Sequence, residues 1–173
     1  MRIAITGTKR GLGAALKSRL SEHEIKAYDR PEYDLSRSIG SMVRRDWDVF
    51  INNAYHGWAQ VDLLYKLFEM NIDRPCLIIN VSSVTSDKLY EKIFPYSIHK
   101  KALDLACLQL QQIDSKCRVI NIKLGRMDTE MVAHRTGPKL DPNYVANEIA
   151  KLIDACQGHA LIKELVIDNY YGG

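Results

Sequence analysis

The sequence predicts an α/β fold, a doubly wound parallel sheet with helices on both faces, formed by the 173 residues as one domain. Three observations predict it. Short apolar, β-branched runs alternate along the chain with segments of helical periodicity. The run Leu77-Ile78-Ile79 lacks polar alternation, which is typical of a strand covered on both faces. A glycine cluster follows the first apolar run, where a strand would turn into a helix.

Each element is placed by its local pattern. Strands are predicted where short apolar runs end at polar or glycine residues, at 1–6, 24–29, 47–52, 76–82, 118–123 and 165–168. Helices are predicted by apolar residues at three- and four-residue spacing, after the glycine cluster and at 36–45, 61–70, 96–113 and 142–153. Residues 130–141 contain Gly137 and Pro138 and little apolar periodicity, which indicates a loosely ordered segment.

Composition excludes several classes of protein. Hydrophobic residues make up 46% and charged residues 26%, as in ordinary globular domains, and the net charge of +3 is spread over the length. Nucleic acid is therefore not an expected partner. No signal-type segment and no run of eighteen apolar residues is seen, so we expect a cytoplasmic protein without a membrane partner. The four cysteines lack CxxC spacing, which predicts reduced, mostly buried thiols and no metal site.

The glycine cluster has the features of a pyrophosphate site. Backbone amides at a helix N-terminus bind such an anion, and side chains there would block its approach. Gly7 is expected to permit the tight turn, Gly11 the close approach of the ligand, and Gly13 the packing of the helix on the sheet. A glycine-rich loop without function is the alternative. The expected binding segment is Thr6-Gly7-Thr8-Lys9-Arg10-Gly11-Leu12-Gly13.

A second group of residues suits proton transfer to an oxygen. Tyr96 and Lys100 are four residues apart, so a helix that begins near Pro95 would place them on one face. An ammonium close to a phenol favours the phenolate, and a tyrosine with a lowered pKa can give or take a proton. Ser83 precedes Tyr96 by thirteen residues and directly follows a buried strand.

Together these motifs resemble the short-chain dehydrogenase/reductase family, in its common short form and as an unusually compact member. The resemblance implies a Rossmann-like fold and hydride transfer between a nicotinamide cofactor and a small carbonyl or alcohol substrate. It implies that Tyr96 is the general acid/base and that Ser83, whose spacing from Tyr96 matches the family serine better than that of Ser82, binds the substrate oxygen. Lys100 would lower the pKa of Tyr96 and hold the nicotinamide ribose. A cofactor-binding sensor or scaffold with weak or no turnover is the alternative.

The choice between NAD and NADP rests on charges around the second strand. Asp29 closes that strand, where an acidic side chain would bind the adenosine ribose hydroxyls and repel a 2′-phosphate. Lys9, Arg10 and Arg30 would favour the phosphate instead. Asp29 is the more discriminating position, so the sequence favours NAD without excluding NADP.

Other segments similar to the family imply further contacts with the cofactor. The family's Asn-Asn-Ala-Gly has Tyr55 in place of its glycine here, a substitution that affects the loop conformation. Asn71 is the candidate for the family's catalytic asparagine, but its position suggests a helix cap instead. Leu124 replaces a family proline after the fifth strand. The implied contacts are Asp34 and Leu35 at the adenine, Asn52, Asn53 and Ala54 at the ribose, and Gly125, Met127 and Thr129 at the carboxamide and phosphates.

The chain is shorter than the family pattern in three segments, so the core is kept and the periphery shortened. The shortened loop after Thr129 suggests an open site. His56 and His99 flank motif positions and are candidates to line it. The helices predicted at 61–70 and 96–113 carry apolar residues on more than one face, which predicts a homodimer or homotetramer. Burial of both faces within one chain is the alternative.

Overall fold

Six parallel strands form one sheet in the order β2-β1-β3-β4-β5-β6. The computed structural model describes residues 1–129, 136–158 and 162–170, and every strand pair within them is parallel. The predicted doubly wound sheet is confirmed, each strand within about two residues of its expected bounds. The strands are β1 (Arg2–Thr6), β2 (Glu24–Tyr28), β3 (Val49–Asn52), β4 (Cys76–Ser83), β5 (Cys117–Leu124) and β6 (Glu164–Ile167).

Five α-helices connect the strands in the described residues, together with a short 3₁₀ turn at Val84–Asp87. Pro95 stands in the first turn of its helix, where its missing N–H costs no hydrogen bond. Asp141 caps the last helix by accepting a bond from the Asn143 amide at 2.9 Å. None of the described helices has the length and apolar character needed to cross a membrane. The helices are α1 (Gly11–Arg19), α2 (Ile39–Met42), α3 (Ala59–Asn71), α4 (Pro95–Leu110) and α5 (Pro142–Ala155).

The helix expected at 36–45 is wrong in length, since only the single turn α2 forms. Asp34 accepts hydrogen bonds from both the Ser36 amide and the Ser36 hydroxyl, at 2.8 and 2.7 Å. Such local bonds compete with a helix, and the serines and Gly40 that follow are weak helix formers. Residues 130–135 of the segment expected to be loosely ordered lie outside the described residues.

The two faces of the sheet carry separate cores. Helices α1 and α5 pack on one face, against Ile3, Ile5 and the residues that alternate with them in β3, β4 and β5. Helices α3 and α4 pack on the other, against Ala4, Phe50 and Ile78. Both β3 and β4 are buried along their whole length, in agreement with the run Leu77-Ile78-Ile79, which lacks polar alternation. The four cysteines are free and buried, in agreement with the sequence.

The contact between β1 and α1 depends on Gly13. A Cβ added there would overlap the carbonyl oxygen of Gly7 and lie 2.9 Å from Asn53 Nδ2. Gly7 itself has φ of 74°, a left-handed conformation that favours glycine. The first turn of the chain therefore needs glycine at both positions, one for conformation and one for space.

We expect Gly13→Ala to lower the free energy of unfolding by about 1–3 kcal/mol, the usual cost of overpacking, because the clash is with backbone that cannot swing away. Urea denaturation measures the change. The matched control is Gly40→Ala in α2, where nothing lies within 4 Å of the added Cβ. Equal stability of Gly13→Ala and wild type would contradict the close contact.

Candidate active site

A cleft of about 820 Å³ opens at the carboxyl ends of the central strands. After β1 the chain winds to β2 on one side, and β3 then lies on the other side of β1. Ligands of open α/β sheets bind at this kind of switch point. Most of the residues singled out in the sequence line the cleft: Gly7, Lys9, Arg10, Gly11, Leu12, Gly13, Asp29, Arg30, Asp34, Leu35, Asn53, Ala54, Ser83, Tyr96, Lys100, Gly125, Met127 and Thr129.

The glycine turn forms one wall of the cleft at the N-terminus of α1. Gly11 begins the helix with φ of 55°, and a Cβ there would lie 3.3 Å from Thr129 Cγ2. The first turn of α1 contains no acidic residue, and no side chain caps it. Its amides and the positive end of the helix dipole therefore suit an anionic group such as a pyrophosphate.

Asp29 lies at the rim of this wall and is held by Thr8. Its carboxylate accepts bonds from the Thr8 amide at 2.5 Å and the Thr8 hydroxyl at 2.7 Å. Lys9 Nζ donates to the Arg30 carbonyl at 2.6 Å. The Asp29 carboxylate and the Lys9 ammonium are thus fixed at the same end of the cleft. Thr8 supports Asp29 from behind and does not line the cleft itself.

The Asn-Asn-Ala segment divides into a buried and a lining part. Asn53 Nδ2 donates to the Thr6 carbonyl at 2.9 Å, and the amides of Asn53 and Ala54 donate to Thr6 Oγ1. Asn52 is fully buried, and its Nδ2 donates to the Gln60 carbonyl and to Asn80 Oδ1 at 2.9 Å. The expected contact of Asn52 with a cofactor is therefore wrong. Asn52 braces the sheet because alternate residues of β3 face opposite ways.

Ser83 and Tyr96 meet at the end of β4. Ser83 lies close enough to Tyr96 to lower the pKa of the phenol as a hydrogen-bonding neighbour, and Ser83 Oγ accepts from Thr85 Oγ1 at 3.0 Å. Ser82 instead donates to Asp104 Oδ1 at 2.5 Å within the core. The preference for Ser83 over Ser82 thus agrees with their hydrogen bonds.

Lys100 is buried below Tyr96, with 2% of its surface exposed. Its ammonium donates to Gln60 Oε1 and to the Val81 carbonyl, both at 2.7 Å. Nζ lies 5.6 Å from the centre of the Tyr96 ring and 5.4 Å from that of Tyr55. Burial lowers the pKa of Lys100 to about 7, opposed by the charge of Asp104.

The expected lowering of the Tyr96 pKa is not found. Burial raises the pKa of the phenol above its usual range, and the hydrogen bond with Ser83 only partly opposes this. The reason is geometric, since Lys100 directs two donors at Gln60 and Val81. Tyr96 therefore has the pKa of a proton donor at neutral pH.

Aromatic rings surround Tyr96 on the side of the cleft that faces α3. The Tyr55 ring is 4.8 Å from that of Tyr96, edge to face, and its hydroxyl shares a hydrogen bond of 2.8 Å with His99 Nδ1. Burial raises the pKa of Tyr55. The left-handed conformation in this loop is at Gly57, with φ of 53°, so Tyr55 occupies the family's glycine position without backbone strain. His56 lines the cleft, and His99 lies behind Tyr55.

Gln60 is the residue that sequence reasoning missed. It is the second residue of α3, has 2% of its surface exposed, and accepts a hydrogen bond from Lys100. No spacing pattern marks it, because its contact with Lys100 depends on how α3 docks. Asn71 is a helix end, as predicted: its Nδ2 donates to the Leu67 and Arg44 carbonyls at 2.8 and 3.1 Å, and it does not line the cleft.

The loop after β5 completes the cleft. Asn169 Oδ1 accepts from the Arg126 amide at 2.7 Å, and Asn169 Nδ2 donates to the Arg126 carbonyl at 3.0 Å. A Cβ at Gly125 would lie 2.9 Å from the Asn169 amide nitrogen, so glycine is needed at that position too. Within the described residues, no group of His, Cys, Asp and Glu could hold a metal ion.

The residues present fit a dinucleotide. The anion-binding helix end lies at the middle of the cleft, Asp29 and Leu35 at one end, and Tyr96 with Ser83 at the other. A Cβ at Gly7 would lie 3.0 Å from Ala54 Cβ, and one at Gly11 would lie 3.3 Å from Thr129 Cγ2, so larger residues would crowd this wall of the cleft.

Comparison with known proteins shows the same fold. No protein-family model and no curated protein matches the sequence. A short-chain dehydrogenase from Burkholderia cenocepacia in complex with NADP is 21% identical with a TM-score of 0.75, over 95% of this chain and 86% of that one. An alcohol dehydrogenase from the archaeon Thermococcus sibiricus, complexed with 5-hydroxy-NADP, is 17% identical with a TM-score of 0.77, over 100% and 98%.

A third similar structure is the 3-ketoacyl-(acyl-carrier-protein) reductase from Brucella melitensis complexed with NADH. It is 17% identical with a TM-score of 0.75, over 96% of each chain. The order of strands, the glycine turn and these likenesses agree, and the chain has the fold of the short-chain dehydrogenases/reductases.

Proposed function

We propose that the protein is an NAD(P)-dependent oxidoreductase that interconverts a carbonyl compound and its alcohol. The observation that carries this proposal is that Ser83, Tyr96 and Lys100 line the same cleft as the glycine turn. The similar structures from Burkholderia cenocepacia and Brucella melitensis, which hold NADP and NADH, support a nicotinamide cofactor.

The cleft offers a partner for each part of such a cofactor. The amides of Gly11–Gly13 would hold the pyrophosphate, Asp29 the adenosine ribose, and Asp34 with Leu35 the adenine. Asn53, Ala54, Tyr96 and Lys100 would hold the nicotinamide ribose. Gly125, Met127 and Thr129 would hold the carboxamide end. When bound, the cofactor supplies the hydride.

Proton transfer falls to Tyr96 in this proposal. In reduction the phenol donates its proton to the carbonyl oxygen, and in oxidation the phenolate removes it from the alcohol. Ser83 donates a hydrogen bond to the same oxygen and fixes its position. The Lys100 ammonium lies 5.6 Å from the centre of the Tyr96 ring, and its remaining donor would bind the nicotinamide ribose beside Tyr96.

Asp29 favours NAD over NADP in this proposal. Its carboxylate is held at the rim by Thr8, where a 2′-phosphate would meet a fixed negative charge. Lys9 and Arg30 lie close by, and Lys9 is engaged with the Arg30 carbonyl.

The substrate end of the cleft is apolar and aromatic. Tyr55, Leu124 and Met127 line the cleft together with Tyr96, and among the described residues at this end the Lys100 ammonium donates to Gln60 and Val81. An uncharged ketone or aldehyde suits these surroundings better than a keto acid, because the remaining Lys100 donor is assigned to the nicotinamide ribose in this proposal and a buried carboxylate needs a partner of its own.

A homo-oligomer remains a proposal. Leu105 and Leu108 on α4 are 56% and 51% exposed, and Ile98 lies on the same helical face. Apolar residues so placed suit the contact of two copies about a two-fold axis.

We expect Tyr96→Phe to lower kcat/KM by at least about a hundredfold, because it removes the proton donor and keeps the ring. The measurement is loss of reduced-cofactor absorbance with a panel of aromatic ketones, aliphatic aldehydes and keto acids, run with NADH and NADPH. NADH and the uncharged carbonyls are expected to react faster. Tyr65→Phe, on the outer side of α3, is the control.

Two results of that panel would contradict the proposal. If Tyr96→Phe matched the wild type, the mechanism would be wrong. If the wild type bound cofactor but turned over no substrate, the alternative of a nucleotide sensor would be favoured. Tyr55 and Leu124, which stand where the family pattern has a glycine and a proline, are the observations behind this alternative.

The pKa of Lys100 near 7 predicts an alkaline loss of reductase activity. The ammonium exists below its pKa and is lost as pH rises, whereas Tyr96 stays protonated over this range because its own pKa is raised. We expect kcat/KM to fall about tenfold per pH unit above that point. Lys100→Arg is expected to remove this limb from its profile, since a guanidinium does not titrate there. A flat wild-type profile between pH 6 and 9 would contradict the assignment.

Light scattering at micromolar concentration is expected to give the mass of a dimer or tetramer. The double change Leu105→Lys and Leu108→Lys is expected to give a monomer, because it places charges in the apolar contact. Tyr144→Lys, an exposed change on α5 at the opposite face of the sheet, is the control. A monomeric wild type would contradict the proposal.

A further inference from the structure

Gln60 links the buried ammonium of Lys100 to the central strands. Its Oε1 accepts from Lys100 Nζ at 2.7 Å, and its Nε2 donates to the carbonyls of Asn52 and Val81 at 2.7 and 3.1 Å. Its backbone carbonyl accepts from the Asn52 side chain at 2.9 Å. Every polar group of this side chain is therefore used, in a place where Lys100 and Gln60 are both 2% exposed.

The orientation of the Gln60 amide follows from its partners. The carbonyls of Asn52 and Val81 only accept hydrogen bonds, so the NH₂ group must face them. An ammonium only donates, so the oxygen must face Lys100. The reversed amide would place oxygen against two carbonyls and NH₂ against the ammonium. The network thus fixes both the amide and the direction in which Lys100 points.

Lys100 has one donor left after these contacts. An ammonium carries three N–H groups, and Gln60 and Val81 take two of them. Lys100 also lines the cleft, beside the rings of Tyr55 and Tyr96. Two fixed bonds therefore leave the third donor for the cleft, in one direction.

A carboxamide differs from a carboxylate in this position. It accepts a bond from the ammonium and adds no full negative charge, so the pKa of Lys100 stays near neutral pH. Asp104, one turn further along α4, is the charge that opposes this. Among the described residues, the titratable groups that face Lys100 from α4 are Asp104, Cys107 and Tyr96. Tyr55 faces it from the loop before α3, and Lys123 of β5 acts through its ion pair with Asp104.

We propose that Gln60 is the positioning residue of the site, which holds Lys100 Nζ against Val81 and aims its remaining donor into the cleft. Gln60 would act where the family pattern has a catalytic asparagine. Asn71, the candidate for that asparagine, ends α3 and does not line the cleft. The catalytic consequence rests on the proposed function, whereas the effect on Lys100 does not.

Two substitutions at Gln60 move the charge of Lys100 in opposite directions. Gln60→Glu keeps the shape and adds a carboxylate, so the pKa of Lys100 rises; Gln60→Leu removes the acceptor, so it falls. We expect the alkaline limb of kcat/KM to move up by at least about one pH unit in the first and down in the second. Gln60→Leu is also expected to lower kcat/KM by about tenfold or more. If Gln60 had only a structural role, both variants would have a lower kcat/KM at every pH, and their alkaline limbs would not move in opposite directions.

The matched control is Gln109→Glu. Gln109 is exposed on α4 and accepts a bond from the Tyr65 hydroxyl at 2.6 Å, which a glutamate also accepts. The same change of charge there is expected to leave the profile unchanged. The proposal would be overturned if kcat/KM began its alkaline fall at the same pH in wild type, Gln60→Glu and Gln60→Leu.

A direct titration separates this inference from the proposed function. The chain is labelled with ¹³C at the lysine ε-carbon, and the Lys100 signal is assigned by its loss in Lys100→Arg. We expect its NMR titration to move to higher pH in Gln60→Glu, whether or not the protein turns over any substrate. If this signal titrates equally in wild type and Gln60→Glu, Gln60 does not hold Lys100, and the inference fails even for an active enzyme. Gln60→Glu also places a carboxylate oxygen against the Asn52 and Val81 carbonyls, so if one of the two variants does not fold, the shift measured in the other decides.

Discussion

The buried ammonium of Lys100 is the constraint on which the arrangement of the site depends. A charged group taken out of water is costly unless it is well hydrogen bonded. The acceptors at 2.7 Å come from β4, through the Val81 carbonyl, and from α3, through Gln60. Lys100 itself lies on α4. Three elements must therefore dock together before this charge is satisfied, and the same docking brings Tyr96 next to Ser83.

A second polar layer lies behind Lys100 and stabilises that docking. Asp104 Oδ1 accepts from Ser82 Oγ at 2.5 Å and from Asn121 Nδ2 at 2.9 Å, and Asp104 Oδ2 lies 3.5 Å from Lys123 Nζ. Because Ser82 and Ser83 point to opposite sides of the strand, one joins this internal layer and the other faces the cleft. Two neighbouring serines thus have separate tasks, one structural and one at the site.

Local patterns were enough for most of the fold and part of the site. Strands and the glycine turn depend on short-range features, the apolar runs and the glycine cluster, which the sequence displays directly. The helix at 36–45 failed because Asp34 and Ser36 bond locally, a competition that periodicity does not reveal.

Contacts made only by docking were not predictable in the same way. Asn52 was expected in the cleft but faces Gln60 and Asn80, since the direction of a strand residue depends on register with its neighbours. Gln60 gave no signal at all. The pKa of Tyr96 was expected to fall because Lys100 is one helical turn away, yet helical spacing fixes which face a side chain is on and not where its donors point.

The short loop between β3 and α3 explains how a substituted motif still forms a site. Its first end is tied to Thr6 through Asn53, and its second end to Asn52 through Gln60. The left-handed turn that these two anchors require is taken by Gly57, with φ of 53°. Tyr55 is therefore free of that conformational demand, and its ring packs on Tyr96 and over Lys100. The same turn starts α3 at Ala59, which places Gln60 within reach of Lys100, so the aromatic substitution and the amide partner arise from one loop geometry.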